Sequence, residues 1–430
     1  MKSSPSSRKE VVGWCLFDVA NSSYTTIIIT VAFNVVFTKL ITGPDPDGTF
    51  SHGNALWAWV LAASWGAVAL AGPWLGALSD ARGWRKRLLT TSVLVCCVSC
   101  TALGMLSPGQ VALALALVFL SNVGFSLSEN FISAFLPMIA SPEQMGRLSG
   151  LAWGLGYFGG LGSILLCQFF TGLDYSPENY DRLRLLGPVT AAFFLVASLP
   201  ALLWLKEPPV QRSSRGAPSF SDTWNRLRAL PDLSRLLLSC FFFQGSLAIV
   251  ISFAAIYGEQ VVGLTGSDQA ILFISLQLTA AGGAFAFGWL QSRWGGMPTL
   301  NLTLWVWVLV VFLIYGLETW TRWLGITNVR MAFLVAGNLA GLCLGATQAC
   351  ARALVGQMSP ADRAGEMFGL WGLSSKASMV FALFVFGFLQ KTVGLRHSLI
   401  FCVVLFLVSL GVHVFIDEKR GRRVSECFVG

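Results

Sequence analysis

Apolar residues run along this chain in long blocks separated by short polar breaks. The blocks lie near 11–41, 55–79, 88–106, 110–140, 147–172 and 187–205, then near 235–262, 269–291, 297–317, 329–358, 365–390 and 396–416. Each is long enough to cross a bilayer, whose core of about 30 Å takes roughly 20 residues of helix. No water reaches that depth to satisfy a free backbone group, so the pattern predicts twelve spanning helices. Several blocks exceed the minimum, which predicts tilt or helical extension beyond the lipid. The first block is too long for a cleavable signal peptide, and no small-residue cleavage site follows a short apolar core.

The longest polar segment, Lys206 to Asp232, divides the blocks six and six. The expected domains are a tail (1–10), a six-helix bundle (11–205), a linker (206–234), a second bundle (235–417) and a tail (418–430). The stretch "SPEQMGRLSGLAWGLG" at 141–156 recurs as "SPADRAGEMFGLWGLS" at 359–374, after the fourth span of each half. The second half therefore reads as a diverged copy of the first. Duplicated halves related by an axis along the membrane normal describe a recurring transporter architecture.

Composition strengthens the membrane reading: 55% of residues are hydrophobic and only 12% charged, too little polar surface for a soluble chain of 430 residues. The net charge of +8 is a topology signal. Of the 29 Lys and Arg residues, twenty fall in the tails and the loops on the tail side, seven on the opposite side, and Arg352 and Lys376 within spans. That bias puts both termini in the cytoplasm and removes any need for a nucleic-acid partner. The Cys97–Cys100 pair lies on an apolar helix with no base beside it and reads as packing. His52, His397 and His413 are too far apart to suggest a metal site, and Gly154, Gly156 and Gly159 fit close helix packing better than a dinucleotide loop. No metal or cofactor is expected.

Four ionisable residues stand inside spans, where a lone charge costs about 2.5–3.5 kcal/mol on insertion scales. At 1.5 Å per residue, Asp18, Glu129, Arg352 and Lys376 all lie roughly 9–16 Å from the cytoplasmic helix ends. Depth predicts the pairs Glu129–Lys376 and Asp18–Arg352, although depth alone leaves the partners interchangeable. Polar stripes extend the pattern at i, i+3, i+4 and i+7. Span one carries Asp18, Asn21, Ser22 and Thr25; span four carries Asn122, Ser126, Glu129, Asn130 and Ser133. Span ten carries Asn338, Gly345, Gln348 and Arg352, and span seven Gln244, Ser252 and Glu259. The bland alternative is that these groups only fix helix register through interhelical pairs and hydrogen bonds.

Two loops carry a family resemblance. "GALSDARGWRKR" (76–87) resembles the loop motif of the major facilitator superfamily, with Gly76, Asp80, Gly83, Arg85 and Lys86 in place and Ala81 departing from it. Its counterpart "GWLQSRWGG" (288–296) keeps Arg293 but has Ser292 for the aspartate. The segments "LFDVANSSY", "AFLPMIASPEQMGRLSGLAWGLGYFGG" and "TQACARALVGQMSPADRAGEMFGLWGLSSKAS" are similar to the vacuolar amino-acid effluxer branch, the autophagy-related family, over both halves. Val19 and Ala351 depart from its pattern.

The resemblance implies an all-α membrane protein of twelve transmembrane helices in two six-helix bundles related by pseudo-two-fold symmetry, the major facilitator fold. Spans one, four, seven and ten would line a central cavity. Asp80 would meet the start of the eleventh helix as a latch, with Gly76, Gly83, Arg85, Arg293 and Glu366 also at the gate. Asp18, Asn21, Tyr24, Glu129, Asn130, Tyr157, Gln244, Gln348, Arg352 and Lys376 are the expected binding or coupling residues; Trp153 and Trp371 are better read as packing.

The expected function is a secondary active transporter working by alternating access, proton-coupled, for a small zwitterionic or anionic solute such as an amino acid or peptide. Its partners are that solute, protons or another coupling ion, and the bilayer, and it is expected to be a monomer. The expected location is a bacterial inner membrane, or a vacuolar membrane in a eukaryote. A lipid or lysolipid flippase and a non-transporting sensor remain alternatives. An intramembrane enzyme is disfavoured, since no nucleophile–base pair or metal cluster shares one depth.

Overall fold

The computed structural model describes residues 7–207 and 220–428. The middle of the linker lies outside these, as do Lys2, Arg212 and Arg215 of the charge pattern. The chain is helical throughout its apolar blocks. The crossings are Arg8–Ile41, Ser51–Arg82, Arg85–Leu103, Val111–Ile139, Pro142–Thr171 and Pro177–Trp204, then Pro231–Val262, Gly266–Trp294, Gly296–Tyr315 and Val329–Met358. The last helical stretch, Ala361–His413, would be roughly 80 Å long if straight, far more than a bilayer takes. It breaks at Gly394, whose φ of 82° and ψ of 162° are non-helical and open to glycine, and so supplies spans eleven and twelve.

Local chemistry explains the helix ends. Span one starts from a capping box, in which Ser7 Oγ accepts from Glu10 N (3.3 Å) and Ser7 N donates to Glu10 Oε2 (2.8 Å). Spans five and seven start on Pro142 and Pro231, where the missing N–H is no loss. Span two ends at Gly83 in the left-handed region, φ 65°. Span one is not uniformly α-helical: Thr25–Val31 and Phe37–Ile41 are wound as π-helix, as is Gly258–Val262 at the end of span seven. The linker ends in a helix, Phe220–Ala229, and another helix, Glu418–Cys427, follows span twelve.

Each half has its own core. Trp14, Phe17, Tyr24, Phe37, Phe131 and Phe194 anchor the first, and Phe243, Trp307, Phe368, Phe386 and Phe406 the second. The halves meet along span two against eleven and span five against eight, with spans four and ten contributing. These contacts need glycine. A Cβ on Gly76 would strike the carbonyl of Gly365, one on Gly369 would stand 2.8 Å from the carbonyl carbon of Gly72, and one on Gly150 would stand 2.7 Å from the Cα of Gly288. The close approach packs the halves shut at the end carrying residue 7 and residue 428, here called the terminal face. Towards the other end, Ile251, Ser252 and Glu259 of span seven are exposed.

Candidate functional site

Asp18 of span one and Arg352 of span ten form a two-pronged pair across the halves: Nη1 donates to Oδ1 at 3.0 Å and Nη2 to Oδ2 at 2.7 Å. Both are buried, at 7% and 3% exposure. The guanidinium lies 4.5 Å from the Trp14 ring centroid and 5.6 Å from that of Trp153. Its Nε donates to Ser149 Oγ (3.0 Å) and Nη2 also reaches the Ser149 carbonyl (3.3 Å). Ser149 in turn donates to the Ala349 carbonyl, 2.8 Å away. Helical periodicity puts Trp14 and Asp18 on one face of span one, so a planar cation enters between a carboxylate and an aromatic face. Arginine suits this position because its charge is delocalised over a planar fork.

The second pair is built differently. Lys376 Nζ approaches Glu129 Oε2 at 3.4 Å, a single long contact, and the Glu129 side chain keeps 26% of its surface exposed. Glu129 lines a cavity of about 70 Å³ with Asp18, Asn21, Ser133, Trp153 and Arg352. That volume holds several waters. Trp153 Nε1, Asn21 Oδ1 and Ser133 Oγ on its walls have no protein partner.

The other expected site residues fall into separate places. Asn130 is lodged between spans two and eleven: a Cβ on Gly72 would lie 3.4 Å from its Nδ2 and one on Gly372 2.6 Å from its Oδ1. Gln244 and Gln348 exchange side-chain hydrogen bonds (2.8 and 3.1 Å) between spans seven and ten. Tyr157 sits beside Trp153 with its ring against Gly345 of span ten. Tyr24 is placed away from the cavity: its hydroxyl pairs with Ser121 (2.9 Å), its ring stacks on Phe125 and it is fully buried within the first half.

At the terminal face Asp80 reaches the first turn of span eleven. Its Oδ1 accepts from Gly365 N (3.1 Å) and its Oδ2 from Glu366 N (2.8 Å), so a carboxylate faces the positive end of a helix dipole. Arg85 Nη2 donates to Oδ1 at 2.6 Å, and Nη1 to the Ala134 carbonyl at 3.0 Å. Glu366, fully buried, accepts from Arg226 of the linker helix at 3.1 and 3.2 Å. Gly76 and Gly83 serve this contact through close approach and a left-handed turn. Arg293 is not brought into it: its guanidinium is exposed and lies 4.1 Å from the Trp289 ring centroid on its own helix.

Sequence reasoning missed several partners. Trp14 and Ser149 hold Arg352, and their only signals are the i, i+4 spacing to Asp18 and a place in the repeated stretch. Arg226 lies in the segment read as linker. Glu207 accepts from Lys86 N at the start of span three (3.2 and 2.9 Å), and Glu418 does the same for Met297 N at the start of span nine (2.8 Å). Burial pushes the Glu207 carboxyl above the usual carboxylate range, against the pull of the Lys86 N–H.

The sequence profile of the vacuole effluxer Atg22-like family matches residues 6–426. The MFS-type transporter YxiO of Bacillus subtilis is 24% identical over 97% of this chain and 97% of its own length. Autophagy-related protein 22 of Coccidioides immitis is 22% identical over 81% of this chain and 70% of its own length. Among solved structures, the proton:xylose symporter XylE of the major facilitator superfamily superposes with a TM-score of 0.73 at 15% identity, covering 97% of this chain and 96% of that one. That likeness gives the fold: two six-helix bundles around a shared cavity.

Proposed function

We propose, starting from the fact that the chain belongs to the vacuole effluxer Atg22-like family of major facilitator transporters, that it is a proton-coupled carrier for a small zwitterionic or anionic solute such as an amino acid or a short peptide. One observation carries the reading. Glu129 and Lys376 face each other across the two halves in a loose contact beside a cavity large enough for water, and among the described residues neither has a second ionic partner.

Protonating Glu129 removes its attraction for Lys376. A cargo carboxylate then competes for the ammonium, and the unpartnered indole N–H of Trp153 supplies a further donor on the cavity wall. Proton and cargo therefore each change the free energy of bringing the halves together. The tight terminal face and the exposed far part of span seven support an outward-open reading, in which the Lys and Arg bias puts both termini in the cytoplasm. Rocking of the two bundles around the cavity, with the Asp80 latch released, gives the inward-open state. The membrane is the plasma membrane of a bacterium or the vacuolar membrane of a eukaryote. The related symporter couples its sugar to protons, and the family description names a vacuole effluxer; both support the reading.

The test is uptake of a ¹⁴C-labelled amino-acid mixture into proteoliposomes with and without a pH gradient. Wild-type uptake is expected to be accelerated at least tenfold by the gradient, and Glu129→Gln uptake to be insensitive to it. Equal wild-type rates with and without the gradient would remove the coupling.

A further inference from the structure

The terminal face has two sides, and internal symmetry shows that they are filled differently. On the side of spans two and eleven, the Asp80–Arg85 pair occupies the space beneath the loop after span two. On the side of spans five and eight, Ser292 stands where Asp80 would be, and Gly296 and Met297 stand where Arg85 would be. The carboxylate and the guanidinium of the first side are thus absent, and a cavity of about 560 Å³ lies there, lined in part by the start of the helix Glu418–Cys427. It is eight times the volume of the central cavity and falls in the size range of small-molecule sites.

The lining holds both charge signs. Glu143 comes from the first turn of span five, and Asp417, Lys419 and Arg422 from the segment after span twelve. Glu418 is already engaged by Arg422 and by Met297 N, whereas Glu143 feels Arg422 only at longer range and Asp417 Oδ1 accepts from Arg420 N (3.0 Å), so neither makes a close ion pair among the described residues. Arg422 Nη2 donates to Gln357 Oε1 (2.8 Å) as well as to Glu418, and its Nε has no partner among the described residues. Gln291, 3% exposed, lines the same cavity and donates to the Cys350 carbonyl (3.4 Å), while its side-chain oxygen is enclosed and unpartnered. A buried amide oxygen left without a donor costs free energy that a bound N–H group returns.

We propose that this cavity binds a small zwitterion, bearing one carboxylate and one ammonium, and that the bound molecule holds the terminal face shut. The carboxylate goes to Arg422 and Lys419, the ammonium to Glu143, Asp417 and the Gln291 oxygen. The zwitterion thereby replaces the charge pair that the first half supplies with its own side chains. The consequence for the gate follows from where the walls belong. Glu143 is in the first half and every other lining group in the second, and the halves are joined at this point by Gln357 Nε2 donating to the Pro142 carbonyl at 2.6 Å. Opening the terminal face separates those walls, so a ligand touching both favours the closed arrangement.

The experiment uses the full chain in nanodiscs carrying Lys376→Gln, which removes the central cation, so that its outcome is independent of the transport reading. Binding of L-alanine, propionate and ethylamine is measured by calorimetry, together with hydrogen exchange of the amides in 143–150 and 288–297. Alanine is expected to bind at least tenfold more tightly than the two single-charge analogues and to slow exchange in both segments. Glu143→Gln and Ser292→Arg, both at exposed positions, are each expected to weaken alanine binding at least tenfold. Absence of alanine binding, equal binding of all three probes, or binding untouched by both variants would overturn the site. Alanine binding that leaves the exchange rates unchanged would overturn its hold on the gate.

Discussion

The two ion pairs of the centre lie at similar depth and are built differently. Asp18–Arg352 is bidentate, buried, stacked between two indoles and pinned by Ser149. Glu129–Lys376 is a single 3.4 Å contact beside a cavity large enough for water. A buried pair with all its hydrogen bonds made is hard to open, because removing one partner strands a charge in a medium that cannot solvate it. A loose pair in contact with water opens at little cost and is suited to exchanging partners. Charge and depth do not separate the two pairs; the number of other groups that hold each charge does.

The comparison is most directly broken at Asp18. Asp18→Ala leaves the Arg352 guanidinium without its carboxylate and is expected to lower stability by about 3–5 kcal/mol. Pairing Asp18→Asn with Arg352→Met should recover most of that loss, read as thermal unfolding in detergent. A smaller effect for Asp18→Ala than for Glu129→Ala would reverse the assignment.

Next in size is the latch. Asp80→Asn removes a buried carboxylate from a helix N-terminus and from Arg85, with an expected cost of about 1–2 kcal/mol to the closed terminal face. Hydrogen exchange of amides 364–370 is expected to quicken about tenfold, since 1.4 kcal/mol is a factor of ten. The central pairs should be untouched by it.

Two smaller effects sharpen the contrast. Trp153→Phe keeps an aromatic face beside Arg352 but weakens the cation–π contact, for an expected loss of about 0.5–1 kcal/mol in thermal stability. The indole N–H lost has no protein partner to strand. Glu129→Gln is expected to change stability least, by about 0.5 kcal/mol or less, as for pairs in contact with water. Unaltered unfolding together with lost response to a pH gradient is the signature of a coupling residue; an unfolding change as large as that of Asp18→Ala would make Glu129 a structural group.

Much of this arrangement was legible in one dimension. The crossings were expected within a few residues of where they lie, except that span five starts at Pro142 rather than 147, the sixth crossing starts at Pro177 rather than 187, and span one contains π-helical turns. The four ionisable residues within spans were legible from depth along each helix, and of the pairings that depth left interchangeable the structure has Asp18–Arg352 and Glu129–Lys376. Tyr24 and Arg293 show the limit. Both sit in recognisable motifs, yet Tyr24 turns into its own half against Ser121 and Phe125, and Arg293 lies on Trp289 at the surface. A motif records that a residue type is present, and helix rotation decides what it meets.

Membrane residence and the number of crossings are written in local hydropathy, as the repeated stretch and the position of each charge along its helix are written in residue order. These depend on local hydropathy and on a fixed rise per residue, which neighbours do not alter. Tertiary structure alone decided which charge is clamped and which is loose. That distinction rests on groups far apart in the chain, such as Trp14, Ser149 and Arg352, meeting at one point, as does the void that Ser292 and Gly295 share with Glu143 of span five. Side-chain packing between helices sets both, and no local pattern encodes it.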